Sequence, residues 1–382
     1  MIKAVIMAGG KGTRIQPLTL SRPKPLIPVA NRPMIEYILK KLKIHGHNDI
    51  VVTLNYLRTH IKKLLKKNHP NFNAKFSIEK KPLGTAGGVA LAQKYIDDTF
   101  FVLSGDVLID VDFDEILKFH KKKKALATMI LKPVNDPSHF GIAVLSQDNE
   151  IIKFLEKPSH SDVFSKIANT GTYIFEPEIM DYIDTSQGAV DFSNDVFPEL
   201  INAKAGIYGY ISEGYWNDVG RPDSFLNANH DVLNKKITPR PNGKILKESV
   251  GKFGDIWVGD NVEIKDKVRI IGPVVIGNDS IIEQNSVIGR NTVIGDNVTI
   301  KENTTIEGSV IFSKSIINSN SHLKNCIIDS ECILDSGCVI EKGALLGNSV
   351  HVGPSSLISS NRSITNKVKI LPESHVDSNF PL

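Results

Sequence analysis

One periodicity constrains this chain more than any other feature. Val258, Ile264, Ile270, Ile276, Ile282, Ile288, Ile294, Ile300 and Ile306 stand six residues apart without a miss. Four positions after each lies a small or branched residue: Val262, Val268, Val274, Ser280, Ser286, Thr292, Val298, Thr304 and Val310. A period of six fits neither a 3.6-residue helix nor a heptad; it is the repeat of a parallel β-helix, where six residues form one flat side of a triangular coil. The branched residue fills the interior and the small one fits the corner. Asn and Gly in Gly277-Asn278, Gly289-Arg290-Asn291 and Gly295-Asp296-Asn297 suit corners because they tolerate positive φ. The register slips after Phe312 and resumes at Ile328, Leu334, Ile340, Leu346, Val352 and Ile358, which predicts an irregular interruption over about 313–325.

The residues before the repeat alternate instead. Runs 2–8, 50–54, 76–79 and 100–103 read as strands, separated by amphipathic stretches 34–44, 57–67 and 86–95 with helical spacing. After Ala125 the strands crowd together, at 127–131, 141–145, 151–154 and 172–175, with 191–201 helical. The expectation is an α/β fold: a Rossmann-like, mixed but mainly parallel sheet with helices on both faces, followed by a left-handed parallel β-helix. Three segments follow: a first domain over 1–235, a linker over 236–255 around Pro239-Arg240-Pro241-Asn242-Gly243, and the β-helix over 256–382. A length of 382 residues suits two domains. A net charge of +4 gives no clustered basic surplus, so nucleic acid is not expected as the main partner. Three cysteines and no apolar run of membrane-spanning length point to a cytoplasmic protein.

Ala8-Gly9-Gly10-Lys11-Gly12-Thr13-Arg14 follows the first strand, where backbone amides can approach a phosphate closely. It is neither a Walker A loop nor a dinucleotide fingerprint. It continues through Ile15-Gln16-Pro17-Leu18-Thr19 into Arg22-Pro23-Lys24-Pro25-Leu26, and this long motif resembles the signature of the sugar-1-phosphate nucleotidyltransferases. Further matching segments come in the family's order: Leu83-Gly84-Thr85-Ala86-Gly87, Ser104-Gly105-Asp106, Phe140-Gly141, Glu156-Lys157-Pro158, Asn169-Thr170-Gly171 and Trp216-Asn217-Asp218-Val219-Gly220.

That resemblance implies a reaction in which a sugar 1-phosphate attacks the α-phosphorus of a nucleoside triphosphate and pyrophosphate leaves. The attacking phosphate is already anionic, so the task is to bring two anions together by positioning and cations rather than by a general base. By resemblance, Arg14 serves the β- and γ-phosphates, Lys24 the α-phosphate side and Lys157 the sugar phosphate. Asp106 and Asp218 would share Mg²⁺, a hard cation suited to carboxylate oxygen. Ala8, Gly9, Gly10, Gly12, Thr13, Gly84, Thr85 and Ala86 would hold the nucleotide. Gly141, Glu156, Asn169 and Gly171 would join Lys157 in holding the sugar phosphate. The segment around Gly87 resembles the guanylyl-transferring version, with Gly87 leaving room for a purine, whereas Gly88 departs from the commoner small aliphatic residue. GTP and mannose 1-phosphate are the implied substrates. Thymidylyl or uridylyl transfer to glucose 1-phosphate is the alternative, and a non-catalytic nucleotide-sugar-sensing relative is the second. The flat sides of the coil suggest self-association into a homo-oligomer.

Three features read as structural. Cys332 and Cys338 fall four residues after Ile328 and Leu334, at the corner position, so packed thiols are expected. His45 and His47 read as surface residues at a helix end without a carboxylate cluster, and Asp110, Asp112 and Asp114 as loop and cap residues. His351 precedes an inward Val352 and so should point out of the coil.

Overall fold

The structure, a computed structural model, describes residues 2–186, 188–246 and 254–380. By packing, the chain forms two units, neither continuous in sequence: Met1–Lys11 with Ile38–Asp218, and Gly12–Tyr37 with Val219–Leu382.

In the first unit, strands β1 (Lys3–Met7), β2 (Asp49–Leu54), β3 (Asn73–Ile78) and β4 (Phe100–Ser104) lie parallel in the order β4-β1-β2-β3. The β1–β4 pair is apolar on both faces, as a covered parallel sheet requires, and Ala4, Val5, Ile6 and Phe100 through Leu103 are fully buried. Alternation sorts them: Val5 and Val102 pack with Ala86, Val89 and Phe197, while Phe101 meets Phe113 on the other face at 5.1 Å between ring centres.

The remaining strands are β5 (Val107–Asp110), β6 (Ala127–Pro133), β7 (Gly141–Leu145), β8 (Ile151–Glu156), β9 (Ile167–Phe175), β10 (Ile207–Ile211) and β11 (Tyr215–Asp218). β9 runs antiparallel to β4, β6 and β7, so the sheet is mixed on one side, as expected. β5 and β11 form a separate antiparallel ribbon.

Helices α1 (Met34–Ile44), α2 (Arg58–Asn68), α3 (Gly84–Ala90), α4 (Phe113–Lys123), α5 (Phe197–Asn202) and α6 (Pro222–Leu233) complete the α/β part. α4 starts where the Asp112 carboxylate accepts the N–H groups of Asp114 and Glu115, and it ends in four basic residues that suit its negative pole. Two expected helices are shorter or less regular: the first ends at Ala90, and 191–201 opens with a π-turn over Phe192–Val196.

In the second unit, the six-residue period folds as a parallel β-helix whose sides form sheets of eight, seven and seven strands among the described residues. Ile264 pairs with Ile282, and Ile282 with Ile300, each 18 residues on, and the inner column they begin is almost fully buried. Corner residues Asn291, Asn297 and Asn303 carry positive φ, whereas in the first corner Asp279 does so rather than Gly277 or Asn278.

The expected interruption at 313–325 is absent. Ile311, Ile317 and Leu323 carry the inner column straight through. The slip is instead two corners each one residue short, where positive φ recurs five residues after Asn303, at Gly308, and five after Asn320, at Asn325. Between them strands pair 17 apart, Val293 with Val310 and Ile316 with Ile333, and the 18-residue spacing returns at Ile327 with Leu345. Ser309 rather than Val310 consequently takes the small-residue corner.

Within the stretch expected as a linker, Lys244–Ile245 pairs antiparallel with Val258 and Trp257, while 247–253 lies outside the described residues. Residues 12–37 pack with the coil. Asn31 donates to the Ile294 carbonyl at 2.7 Å, and the Ala30 amide to Asn229 of α6 at 2.7 Å. Arg22 stacks over Phe312 at 5.2 Å and reaches Asp329 at 2.7 Å, whose side chain is fully buried. Among the described residues, no helix is long and apolar enough to cross a membrane.

Candidate active site

In the first unit the two aspartates expected to hold metal come from different strands but reach one place. Asp106 lies in the turn from β4 to β5, its carboxylate accepting the Ser104 hydroxyl at 2.6 Å. Asp218 ends β11, and the ribbon register sets it opposite Val107, the next residue after Asp106. Directly paired strand residues lie about 5 Å apart, so the ribbon holds both carboxylates at one end. The donors are hard oxygens with no imidazole or thiol beside them in sequence, a set that fits Mg²⁺ rather than a softer cation.

The sugar-side residues gather at the neighbouring edge. Glu156 of β8 pairs with Gly141 of β7, and a side chain at Gly141 would come within 2.6 Å of Glu156 Oε2. The glycine thus leaves the carboxylate its space. Lys157 follows with φ +44 and its Nζ 3.2 Å from Glu156 Oε1, leaving its side chain largely exposed. On β9 the pairing shifts between Asn169, which still pairs with Leu131, and Tyr173, and this bulge takes Gly171 out of the regular ladder. Asn169 is held by the Tyr173 hydroxyl at 2.9 Å and by the Gly171 amide at 2.9 Å. The bulge reaches the aspartate end, because Trp216 donates to the Thr170 carbonyl at 3.0 Å and Gly171 lies against Ser104. Asp106, Asp218, Asn169 and Gly171 therefore share one neighbourhood, with Gly141, Glu156 and Lys157 on the adjoining strands.

Around the glycine loop the structure adds a residue that the sequence did not single out. Glu79, directly after β3, is buried. Its Oε2 accepts the Leu83 amide at 3.1 Å, and its Oε1 fills the space that side chains at Gly9 and Gly88 would need, 3.1 and 2.9 Å from their positions. That approach explains why Gly88 departs from an aliphatic residue. Burial pushes the Glu79 carboxyl above the usual range. A glutamate closing a strand reads as exposed; the only sequence signal was the pair of glycines that make room for it. A side chain at Gly87 would meet Leu83 at 3.0 Å and Thr185 at 3.4 Å, so its smallness serves helix packing. Thr85 bridges Asp191 and the Phe192 amide at 2.7 and 2.9 Å, and Ala86 is buried beside it. Ala8 donates to Thr53 at 3.1 Å, while Gly10 is open on its side-chain face.

In the second unit, Gly12 adopts φ +64, and a side chain there would strike Thr19 at 2.9 Å and Lys24 at 3.0 Å. This glycine lets the loop close onto Lys24, which is only 3% exposed, a rare state for lysine. Thr13 and Arg14 stand exposed in a tight turn, Thr13–Ile15.

Cys326, Cys332 and Cys338 are free and buried at coil corners, as expected for packed thiols. Burial pushes them up to about 12, 12 and 11 respectively. His351 faces outward and meets Asp335 at 2.8 Å. The reading of His45 and His47 needs correction: His47 is buried, and His45 lies 2.8 Å from the Asp114 carboxylate.

An α/β sheet with carboxylates, lysine and amide groups gathered at one edge, joined to a hexapeptide coil, defines a class of enzyme that handles phosphorylated small molecules. The chain belongs to the nucleotidyl transferase family, whose model matches residues 3–235. A second family model, for the EIF2B subunit epsilon LbH domain, matches 254–358, in keeping with the left-handed β-helix. It is 34% identical over 300 residues to a UTP–glucose-1-phosphate uridylyltransferase of Synechocystis, covering 71% of this chain and 77% of that one. It is 36% identical over 270 residues to a mannose-1-phosphate guanyltransferase of Candida albicans, covering 69% and 73%. The crystal structure of HddC from Yersinia pseudotuberculosis complexed with GMP-PN superimposes with a TM-score of 0.52 at 26% identity, covering 60% of this chain and 98% of that one.

Proposed function

We propose that the chain transfers a guanylyl group from GTP to mannose 1-phosphate, forming GDP-mannose and releasing pyrophosphate. A sugar-phosphate oxygen forms the new bond to the α-phosphorus while the bond to the β-phosphate bridging oxygen breaks, and the electron pair leaves with pyrophosphate. Asp106 and Asp218 would hold Mg²⁺, which supplies positive charge to the phosphate oxygens. Arg14 and Lys24 neutralise the triphosphate, and Lys157 positions the attacking phosphate. Glu156 and Asn169 accept and donate to sugar hydroxyls, and an epimer that misses one of these bonds leaves a polar group unpaired. The glycine loop from Ala8 to Thr13, with Gly84, Thr85 and Ala86, contacts the nucleotide.

The observation that carries the choice of base is the Glu79 carboxylate between Gly9 and Gly88, with Oε2 on the Leu83 amide. Guanine offers two adjacent donors, N1–H and the 2-amino group, that a carboxylate accepts together, whereas uracil and thymine offer one. The Candida relative supports the same choice. The Synechocystis relative favours uridylyl transfer to glucose 1-phosphate. Matched pyrophosphate-release assays with GTP or UTP and each sugar phosphate decide between them: GTP with mannose 1-phosphate should give the highest kcat/KM, and turnover with UTP and glucose 1-phosphate alone overturns the proposal.

A further inference from the structure

His45 and His47 flank Gly46 where α1 gives way to β2, and they face the start of α4. His45 Nδ1 lies 2.8 Å from Asp114 Oδ2, and ligand atoms of His45, Asp112 and Asp114 all fall within 4.8 Å of one another. Helix capping accounts for part of this, since Asp112 Oδ1 receives the Asp114 and Glu115 amides. It does not account for His47. That ring is 6% exposed, and neither of its nitrogens has a hydrogen-bond partner. Its Nε2 points at Asp114 Oδ1 from 3.8 Å, and its plane lies within 8° of the His45 ring. A buried imidazole with both nitrogens unsatisfied is costly unless something is missing from its surroundings.

We infer that His45, His47, Asp112 and Asp114 form a binding site for a divalent transition-metal cation of the zinc class. Two imidazoles with two carboxylates are borderline donors that select such a cation over magnesium. Donor atoms around a four-coordinate zinc ion lie about 3.4 Å apart for bonds near 2.0–2.1 Å. His45, Asp112 and Asp114 already come within 4.8 Å of one another, and His47 Nε2, 3.8 Å from Asp114 Oδ1, would have to draw in to join them. The site is open to solvent through Asp114, whose side chain is half-exposed, and a cavity of about 420 Å³ adjoins Asp112. This site is not the Asp106–Asp218 end. β5 lies between them, and its four residues span about 13 Å. A cation here would tie the C-terminus of α1 to the N-terminus of α4.

The test is a Co²⁺ titration of the full-length Asp106→Asn/Asp218→Asn protein in excess Mg²⁺, which silences the other cation site. One Co²⁺ per chain should bind with the intense visible absorption of a four-coordinate ion and be displaced by Zn²⁺. In the same background His47→Phe, which keeps the contact with Phe101, should lose that absorption and weaken binding at least tenfold. Asp114→Asn, at a half-exposed carboxylate, should do the same without disturbing the core. Zn²⁺ should raise the unfolding temperature of the parent and not of His47→Phe. No stoichiometric Co²⁺, a six-coordinate spectrum, or binding untouched by both substitutions overturns the inference.

Discussion

The α/β unit and the coil are both built on parallel strands, yet the same backbone signal means opposite things in each. In the coil, Lys267 and Lys314 have φ +59 and +65 because nearly all its corners use a left-handed residue, the one at Gly272-Pro273 excepted. In the sheet unit, Lys157 has φ +44 at the end of a strand beside Glu156, where no repeat demands it. The polar interiors differ likewise. Small buried hydroxyls of the coil bond to its own backbone, as Ser280 does to the Gly295 carbonyl at 2.9 Å. In the sheet unit the buried Glu79 and Asn169 sit where strands end or bulge. In the sheet, residues proposed for chemistry thus lie at departures from regularity, whereas in the coil such departures are set by the repeat.

The sharpest way to break that contrast is a pair of substitutions whose effects should not cross. Asp106→Ala removes a proposed metal carboxylate and should lower kcat about a thousandfold, several kcal/mol of lost charge stabilisation, with unfolding unchanged. Ile300→Ala, in the fully buried column, should cost ~2–5 kcal/mol of stability and leave kcat alone. Pyrophosphate-release kinetics and denaturant unfolding of both proteins give the answer. Near-wild-type turnover in Asp106→Ala would refute its metal role.

A smaller effect separates the units by pH. Burial raises the Glu79 carboxyl, so the folded chain binds its proton more tightly than the unfolded chain does. The stability this group contributes is present below the unfolded pKa of about 4.3 and is lost as pH rises through the folded value. Glu79→Gln keeps an oxygen for the Leu83 amide and has no charge to bury. It should therefore be more stable than the parent at pH 7.5, with the gain vanishing near pH 4, while KM for GTP rises. A stability change equal at both pH values would show that the buried charge is not the cause.

How much of this was legible in the sequence follows from what sets each feature. The coil was read from its period because its inner column depends only on spacing, and that spacing survives in Ile264 through Ile306. The sheet's strands were legible from apolar runs, and motif resemblance is what singled out Asp106, Lys157 and Asp218 as site candidates. Glu79 and the partners of His47 were not, since each depends on contact between segments distant in sequence. Two short corners looked like an interruption for a simpler reason: a period analysis registers the lost phase and cannot tell a trimmed corner from a broken coil.

The reason for those corners is itself testable, and it supplies the smallest effect. Gly308 and Asn325 stack on one edge of the coil, the Asn325 amide donating to the Glu307 carbonyl at 2.8 Å. The first of them meets α6, where His230 Nε2 bonds the Gly308 carbonyl at 2.9 Å and Phe225 packs edge-on against Phe312 at 6.0 Å. If the shortening fits the coil to α6, restoring one residue beside Gly308 should cost about 1 kcal/mol, the worth of one buried hydrogen bond. Restoring one beside Asn325 should cost less, because a corner can lengthen without turning either flanking strand inside out. Denaturant unfolding of the two insertions makes the comparison. Equal costs would mean that α6 has no part in setting the coil's length, and a larger cost at Asn325 would place the constraint within the stack of coils itself.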